Sequence, residues 1–316
     1  MRGIPRLSWP VWLIIVGLAL AAPGVVSAAR LVMLTGPSLR MLLAASQARP
    51  TFLLLLAMAA VGLLCAGSGV VAYVIVSSLS YQSARRGYGS VGTILACLIT
   101  AVIVANLLTL PYALLVTAQG RGGQPMVLTP GELVLSVLAL DGSFLGVVYV
   151  RIVRPRVLSW RQMGLDATHF LRRLRQGVGV GVIVIIGSLA VAQILQRFGI
   201  HQTQEEMFRG VLNASLPQFV GVFLAAAIIG PICEEIFFRG YIFTAACRTY
   251  GAGPALALSS ILFALAHLNL AAFVPILLIG SIFAFVYWRT GSLVPSMVAH
   301  VMNNALFIIA LYVSPR

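Results

Sequence analysis

Long apolar runs follow one another along almost the whole chain, and each is bounded by arginines or turn residues. About 20 successive apolar residues match the thickness of a bilayer core as an α-helix. Hydrocarbon offers the backbone no partners, so such runs must satisfy their own hydrogen bonds. The pattern predicts an all-α polytopic membrane protein with about eight or nine transmembrane helices. Composition agrees: 60% of the residues are hydrophobic and 9% charged, against about half and about a quarter in a soluble domain.

The first predicted span starts near Val11, behind Arg2 and Arg6. With Val26-Ser-Ala-Ala29, residues 1–29 also have the outline of a signal peptide; an uncleaved span is the reading taken. A loop over 30–50 leads to spans at Thr51–Ser78, Val91–Thr117 (with Pro111 inside) and Glu132–Val150, the last containing Asp141. Residues 151–176 hold seven arginines and Trp160, too polar to span, and suit a basic amphipathic helix on the cytoplasmic surface. Further spans are expected at Gly177–Gln196, Gln218–Thr249, Pro254–Leu268 (short), Ala271–Trp288 and Leu293–Val313. Three regions result: an N-terminal transmembrane region (1–150), the linker (151–176) and a helical-bundle core (177–316).

All 21 basic residues are arginine and the net charge is +14. The arginines cluster between apolar runs, so anionic lipid headgroups, and not nucleic acid, are the expected partner. With the N-terminus inside, thirteen arginines fall on the cytoplasmic side and seven opposite, as the positive-inside rule requires. A bacterial plasma membrane is the expected location. The four cysteines, Cys65, Cys97, Cys233 and Cys247, form no Cys-x-x-Cys pair and imply no disulfide or zinc framework.

Within the Gln218–Thr249 run lies Pro231-Ile-Cys-Glu-Glu-Ile-Phe-Phe-Arg-Gly240, the most polar stretch inside any span. Ionisable groups at membrane depth are costly and mark function. On a helix Glu235 and Arg239 stand four apart and pair. Glu234 lies roughly 100° around the helix, with no cation one turn away. Two of the four histidines also fall in spans: His267, one turn after Phe263, and His300, one turn before Asn304. His169 and His201 lie in polar segments and are read as solvated; so is the Glu205-Glu206-Met-Phe-Arg209 cluster. Asp141 has no ionisable neighbour in the sequence and is read as a satisfied structural residue.

A carboxylate in an apolar cavity can take a proton from water, with a histidine beside it. A second histidine and an amide can steady an oxyanion. That chemistry is amide hydrolysis with water as nucleophile; no Gly-x-Ser-x-Gly elbow is present. Glu234, His267 and His300 also make a zinc donor set, but no His-Glu-x-x-His helix supports it. A proton-coupled transporter uses similar residues, and a non-catalytic immunity or scaffold protein would keep them for packing.

Glu234-Glu235-x-x-x-Arg239, Phe263-x-x-x-His267 and His300-x-x-x-Asn304, in that order on successive apolar runs, resemble the three motifs of the CPBP intramembrane protease family. That family includes the CAAX prenyl endopeptidase and the bacterial Abi and bacteriocin-immunity proteins. Trp160-Arg-Gln-Met-Gly-Leu165 is similar to a phrase that precedes the family core. The resemblance implies that Glu234 and His267 activate the water and that His300 and Asn304 bind the oxyanion. Glu235, Arg239 and Phe263 would then give structural support, and the substrate would be a peptide or membrane protein. It leaves the metal open: a zinc ion on Glu234, His267 and His300, or a metal-free glutamate mechanism.

Overall fold

The computed structural model describes residues 8–35, 50–116, 128–197, 208–270 and 272–313. Helices α1 (Trp9–Thr35) and α2 (Pro50–Ser77) form one compact unit, residues 1–77. They pack closely through glycines: a Cβ on Gly17 would stand 2.4 Å from the Ala66 nitrogen, and one on Gly62 2.5 Å from the Ala21 nitrogen. α1 runs on to Thr35, so Arg30, expected in a loop, lies on a helix. Arg40 and Arg49 lie outside the described residues.

The second unit, residues 78–316, contains α3 (Tyr81–Arg85), α4 (Val91–Val116), α5 (Pro130–Val148), α6 (Phe170–Arg197), α7 (Leu216–Tyr250), α8 (Ala252–Ala266), α9 (Phe273–Thr290) and α10 (Leu293–Val313). The segments on either side of the basic linker therefore share one compact unit. Seven of the described helices are long and apolar enough to cross a membrane; Trp9–Pro23 and the 15-residue α8 are shorter apolar helices. The protein is an all-α, multi-pass membrane protein. His201, Glu205 and Glu206 lie outside the described residues.

The linker departs from the amphipathic helix expected over 151–176. A π-helical turn, Tyr149–Val153, extends α5; turns follow, then one 3₁₀ turn at Arg161–Met163 and the start of α6 at Phe170. The reason is local: Pro155 breaks the helix, and Arg156, Gly164 and His169 all have left-handed φ. Arg151 is not at the surface. It is fully buried and donates from Nη1 to the Ala84 carbonyl at 2.6 Å. Asp166 is partly exposed and anchors the entry to α6. It accepts from the Thr168 hydroxyl and backbone N–H, which with Arg161 and Arg173 hold its carboxyl below the usual carboxylate range.

The Trp160–Leu165 phrase has a structural role. Met163 is fully buried, its carbonyl lies against Gly240 of α7, and the Gly164 carbonyl accepts the Leu293 N–H at 3.0 Å. The linker is thus pinned to the start of α10. α6 pins the same helix along its length. Cβ atoms on Gly177 and Gly181 would lie 2.6 Å from Val298 Cβ and 2.7 Å from Met302 Sδ, so these glycines give the close contact their four-residue spacing predicts.

Gly164 sits at φ 86°, and a Cβ there would meet Tyr287 Cε2 at 2.7 Å. Gly164→Ala should therefore destabilise the second unit by about 1–3 kcal/mol. A lower thermal midpoint of the detergent-solubilised protein would show it; an unchanged midpoint would refute the pinning role.

Candidate active site

α7 carries the polar stretch and is irregular where it does so. Over 35 residues it alternates α-helix (Leu216–Val222, Gly230–Glu235, Thr244–Tyr250) with π-helix (Phe223–Ile229, Ile236–Phe243). Pro231 supplies a cause for the first π stretch: it has no N–H and its ring crowds the preceding turn, which a wider helix relieves. π segments leave carbonyls under-served, and neighbours supply the missing donors. Thr244 Oγ1 donates to the Arg239 carbonyl at 3.3 Å, and Ser259 Oγ of α8 donates to the Phe238 carbonyl at 2.9 Å. Ser259 is thereby accounted for as a structural donor.

The predicted pair forms. Arg239 Nη1 donates to Glu235 Oε1 at 2.6 Å, and both side chains are wholly inaccessible to solvent. The guanidinium is boxed on every side: Nη2 donates to the Gly280 carbonyl at 3.0 Å, and the rings of Phe263 and Phe283 stand 4.3 and 5.4 Å from its carbon. Gly280 of α9 permits this approach, because a Cβ there would come within 2.9 Å of Phe263 Cδ1.

His300 completes the cluster from α10. Its Nδ1 donates to Glu235 Oε1 at 3.1 Å, and its Nε2 lies 3.6 Å from Glu234 Oε2. One imidazole thus bridges the paired carboxylate and the free one. The Glu234 side chain is 18% exposed, against 0% for Glu235. It is the more accessible carboxylate of the two. The rings of Phe283 and Phe263 flank His300 at 4.9 and 5.7 Å.

His267 stands at the C-terminus of α8. Its Nδ1 hydrogen-bonds the Phe263 carbonyl at 2.8 Å and its ring packs on Phe263 at 4.7 Å. The carbonyl only accepts, so Nδ1 carries the proton and Nε2 is left for another partner. Asn304 is committed at its amide nitrogen, 3.2 Å from the Ala226 carbonyl of α7. Asn303 is turned toward α6, accepting from Ser188 Oγ at 3.1 Å. The structure therefore gathers Glu234, Glu235, Arg239, His300 and Phe263 in direct contact. His267 joins through Phe263, and Asn304 braces α10 against α7.

His300 and His267 each hold Nδ1 on an oxygen acceptor and keep Nε2 as the nitrogen that could ligate a metal; among the described residues no three His, Cys, Asp or Glu side chains converge as metal ligands.

Two contributors were not singled out from the sequence. Gly280 and Phe283 reach Arg239 and His300 from α9, and no charged residue near them signals this. Asp141 is a correction. It is buried, but its Oδ1 has no hydrogen-bond partner, and it lies within electrostatic reach of Glu234 and Cys233. It is neither satisfied nor isolated, because tertiary packing sets α5 against α7.

Residues 216–306 match the family described as type II CAAX prenyl endopeptidase, Rce1-like. Every motif residue from Glu234 to Asn304 lies inside that match. This match agrees with the resemblance carried by the three motifs. Over 86 residues the chain is 35% identical to a Bacillus subtilis (strain 168) protein named "Putative membrane peptidase YdiL". The similarity covers 27% of this chain and 35% of that protein, so the chain spans about a third of its curated relative's length. No solved structure matches the chain.

Arg239→Ala would strand Glu235 as a buried, unpaired charge, a loss of about 3–5 kcal/mol. We expect a sharp fall in folded protein recovered from membranes. The double change Glu235→Gln with Arg239→Gln should recover more folded protein than Arg239→Ala, since it leaves no lone charge. Equal recovery of Arg239→Ala and wild type would refute the pairing.

Proposed function

We propose that the protein is an intramembrane endopeptidase that hydrolyses a peptide bond in or beside the bilayer. The observation that carries this reading is the His300 bridge. It fixes a partly accessible carboxylate, Glu234, beside an imidazole that is itself oriented by a buried carboxylate–arginine pair. The family match over the same residues supports it.

In this reading Glu234, with His267, takes a proton from water as the oxygen attacks the scissile carbonyl carbon. The carbonyl oxygen gains the negative charge, and His300 and the Asn304 amide steady it. The C–N bond then breaks, and the proton held on Glu234 passes to the leaving nitrogen. Glu235, Arg239 and Phe263 hold the helices so that these groups meet. Arg239 has its Nη1 and Nη2 committed and lies wholly inside, which suits a structural role. The substrate is a peptide or membrane protein reached from the lipid phase.

The test is Glu234→Gln, which keeps shape and removes the base. The variant should accumulate in membranes at the wild-type level and lose cleavage by about 10²-fold or more. The measurement is a survey of protein N-termini in host membranes, wild type against variant. New N-termini confined to the wild type support the peptidase. Identical N-termini, with an unchanged phenotype, would return the protein to the immunity or scaffold class.

Orientation follows the arginine distribution: the N-terminus and the Arg151–Arg175 segment lie in the cytoplasm. An impermeant thiol reagent should label a cysteine placed at Arg161 only after the cytoplasmic face is opened. Labelling of intact cells would reverse the orientation.

A further inference from the structure

We propose that Ser188 and Asn303 are positioning residues: a chain of hydrogen bonds that starts on α6 and runs through Asn303 orients the side-chain amide of Asn304. The chain has four members on three helices. Ser188 Oγ of α6 donates to Asn303 Oδ1 at 3.1 Å, and Asn303 Nδ2 donates to Asn304 Oδ1 at 3.4 Å. Asn304 Nδ2 then donates to the Ala226 carbonyl of α7 at 3.2 Å. The chain closes a seam already built for contact. Gly177, Gly181, Val184 and Ser188 follow one another at helical spacing along α6. Gly177 and Gly181 meet Val298 and Met302 of α10, Val184 packs in one cluster with Ala299 and Phe283, and Ser188 reaches Asn303.

One end of the chain decides the direction of every bond in it. A backbone carbonyl only accepts, so Asn304 must turn its nitrogen to Ala226, which leaves its oxygen facing Asn303. Asn303 must answer with its own nitrogen, which leaves its oxygen facing Ser188. The Ser188 hydroxyl supplies the donor that completes the chain. A serine inside a helix can instead bond the carbonyl four residues back; this one spends its proton across the helix pair. Ala226 lies in the first π stretch of α7, so the chain also ties α6 to the irregular backbone just before Glu234. Asn304 Nδ2 carries two hydrogens, and the Ala226 carbonyl takes one. With the nitrogen held by Ala226 and the oxygen by Asn303, the amide plane is fixed and the second hydrogen points one way. Neither Ser188 nor Asn303 is charged, and each acts only through its neighbour.

That the second hydrogen serves an oxyanion rests on the peptidase reading; the chain itself does not, and it can be tested without a substrate. The full-length protein is purified with ¹⁵N in its five asparagines and read by NMR at their side-chain amides, each assigned by substituting the asparagine concerned. Asn106, bonded within α4 to the Val102 carbonyl, is the internal reference. Ser188→Ala should move the Asn303 and Asn304 amide signals and leave Asn106 in place. Ser188→Thr keeps the hydroxyl and should return both signals toward wild type, and Asn303→Leu should move Asn304. An Asn304 signal unmoved by Ser188→Ala, or moved equally by Ser188→Thr, would overturn the chain. If Asn303→Leu does not fold, the two serine variants decide. The second readout is cleavage of a host peptide recovered in the survey of N-termini. Ser188→Ala should lower kcat by about tenfold with KM little changed, and Ser188→Thr should regain it. A wild-type kcat in Ser188→Ala, with the amide signals moved, would overturn the positioning role. A wild type that cleaves nothing would sink the peptidase reading and leave the amide signals to decide the chain.

Discussion

A carboxylate and a guanidinium buried together, with no water to share them, are the constraint on which the rest of this structure depends. Removing two charges from water costs several kcal/mol per ion, recovered only with good geometry and further hydrogen bonds. Here the recovery draws on four helices. Glu235 and Arg239 come from α7, the Gly280 carbonyl and Phe283 from α9, Phe263 from α8 and His300 from α10. A rearrangement that separates any of these leaves a charge under-served. The pair therefore acts less as a source of net stability than as a device that selects one packing of α7 through α10.

That packing orients the neighbouring carboxylate. Glu234 cannot share the Glu235 environment, because adjacent helix residues point in different directions. It is partly accessible and faces the Nε2 of an imidazole whose other nitrogen is already held. Backbone irregularity contributes to the same end. The two π stretches set the register of α7 on either side of Glu234 and Glu235, and donors from Thr244 and Ser259 offset their cost. Widened helical turns recur at functional sites because they re-aim side chains without ending a helix.

Glycine supplies the clearances between helices that bring the groups together. α6 approaches α10 at Gly177 and Gly181, α9 approaches Phe263 and Arg239 at Gly280, and α5 brings Asp141 against Gly230. Between apolar helices in lipid the hydrophobic effect gives little drive to associate, so close packing and interhelical hydrogen bonds set the geometry. The Asn304 amide to Ala226, Ser188 to Asn303 and Leu293 to Gly164 are such bonds.

The sequence by itself determined the membrane class, most helix positions, the Glu235–Arg239 pair and the close approach at Gly177 and Gly181. Each of these depends on run length or on a four-residue spacing, which is local information. It also marked Glu234, His267 and His300 as unusual, since ionisable groups inside apolar runs stand out. Only tertiary structure decided which of them meet. His300 contacts both glutamates while His267 is held on Phe263, and Asp141 lies near Glu234 although 92 positions separate them in the chain. The linker also misled, because seven arginines signal a surface while the left-handed residues that break its helix and the burial of Arg151 carry no charge signature. Helix periodicity fixes which residues share a face, whereas which faces meet depends on side-chain fit between helices distant in the chain.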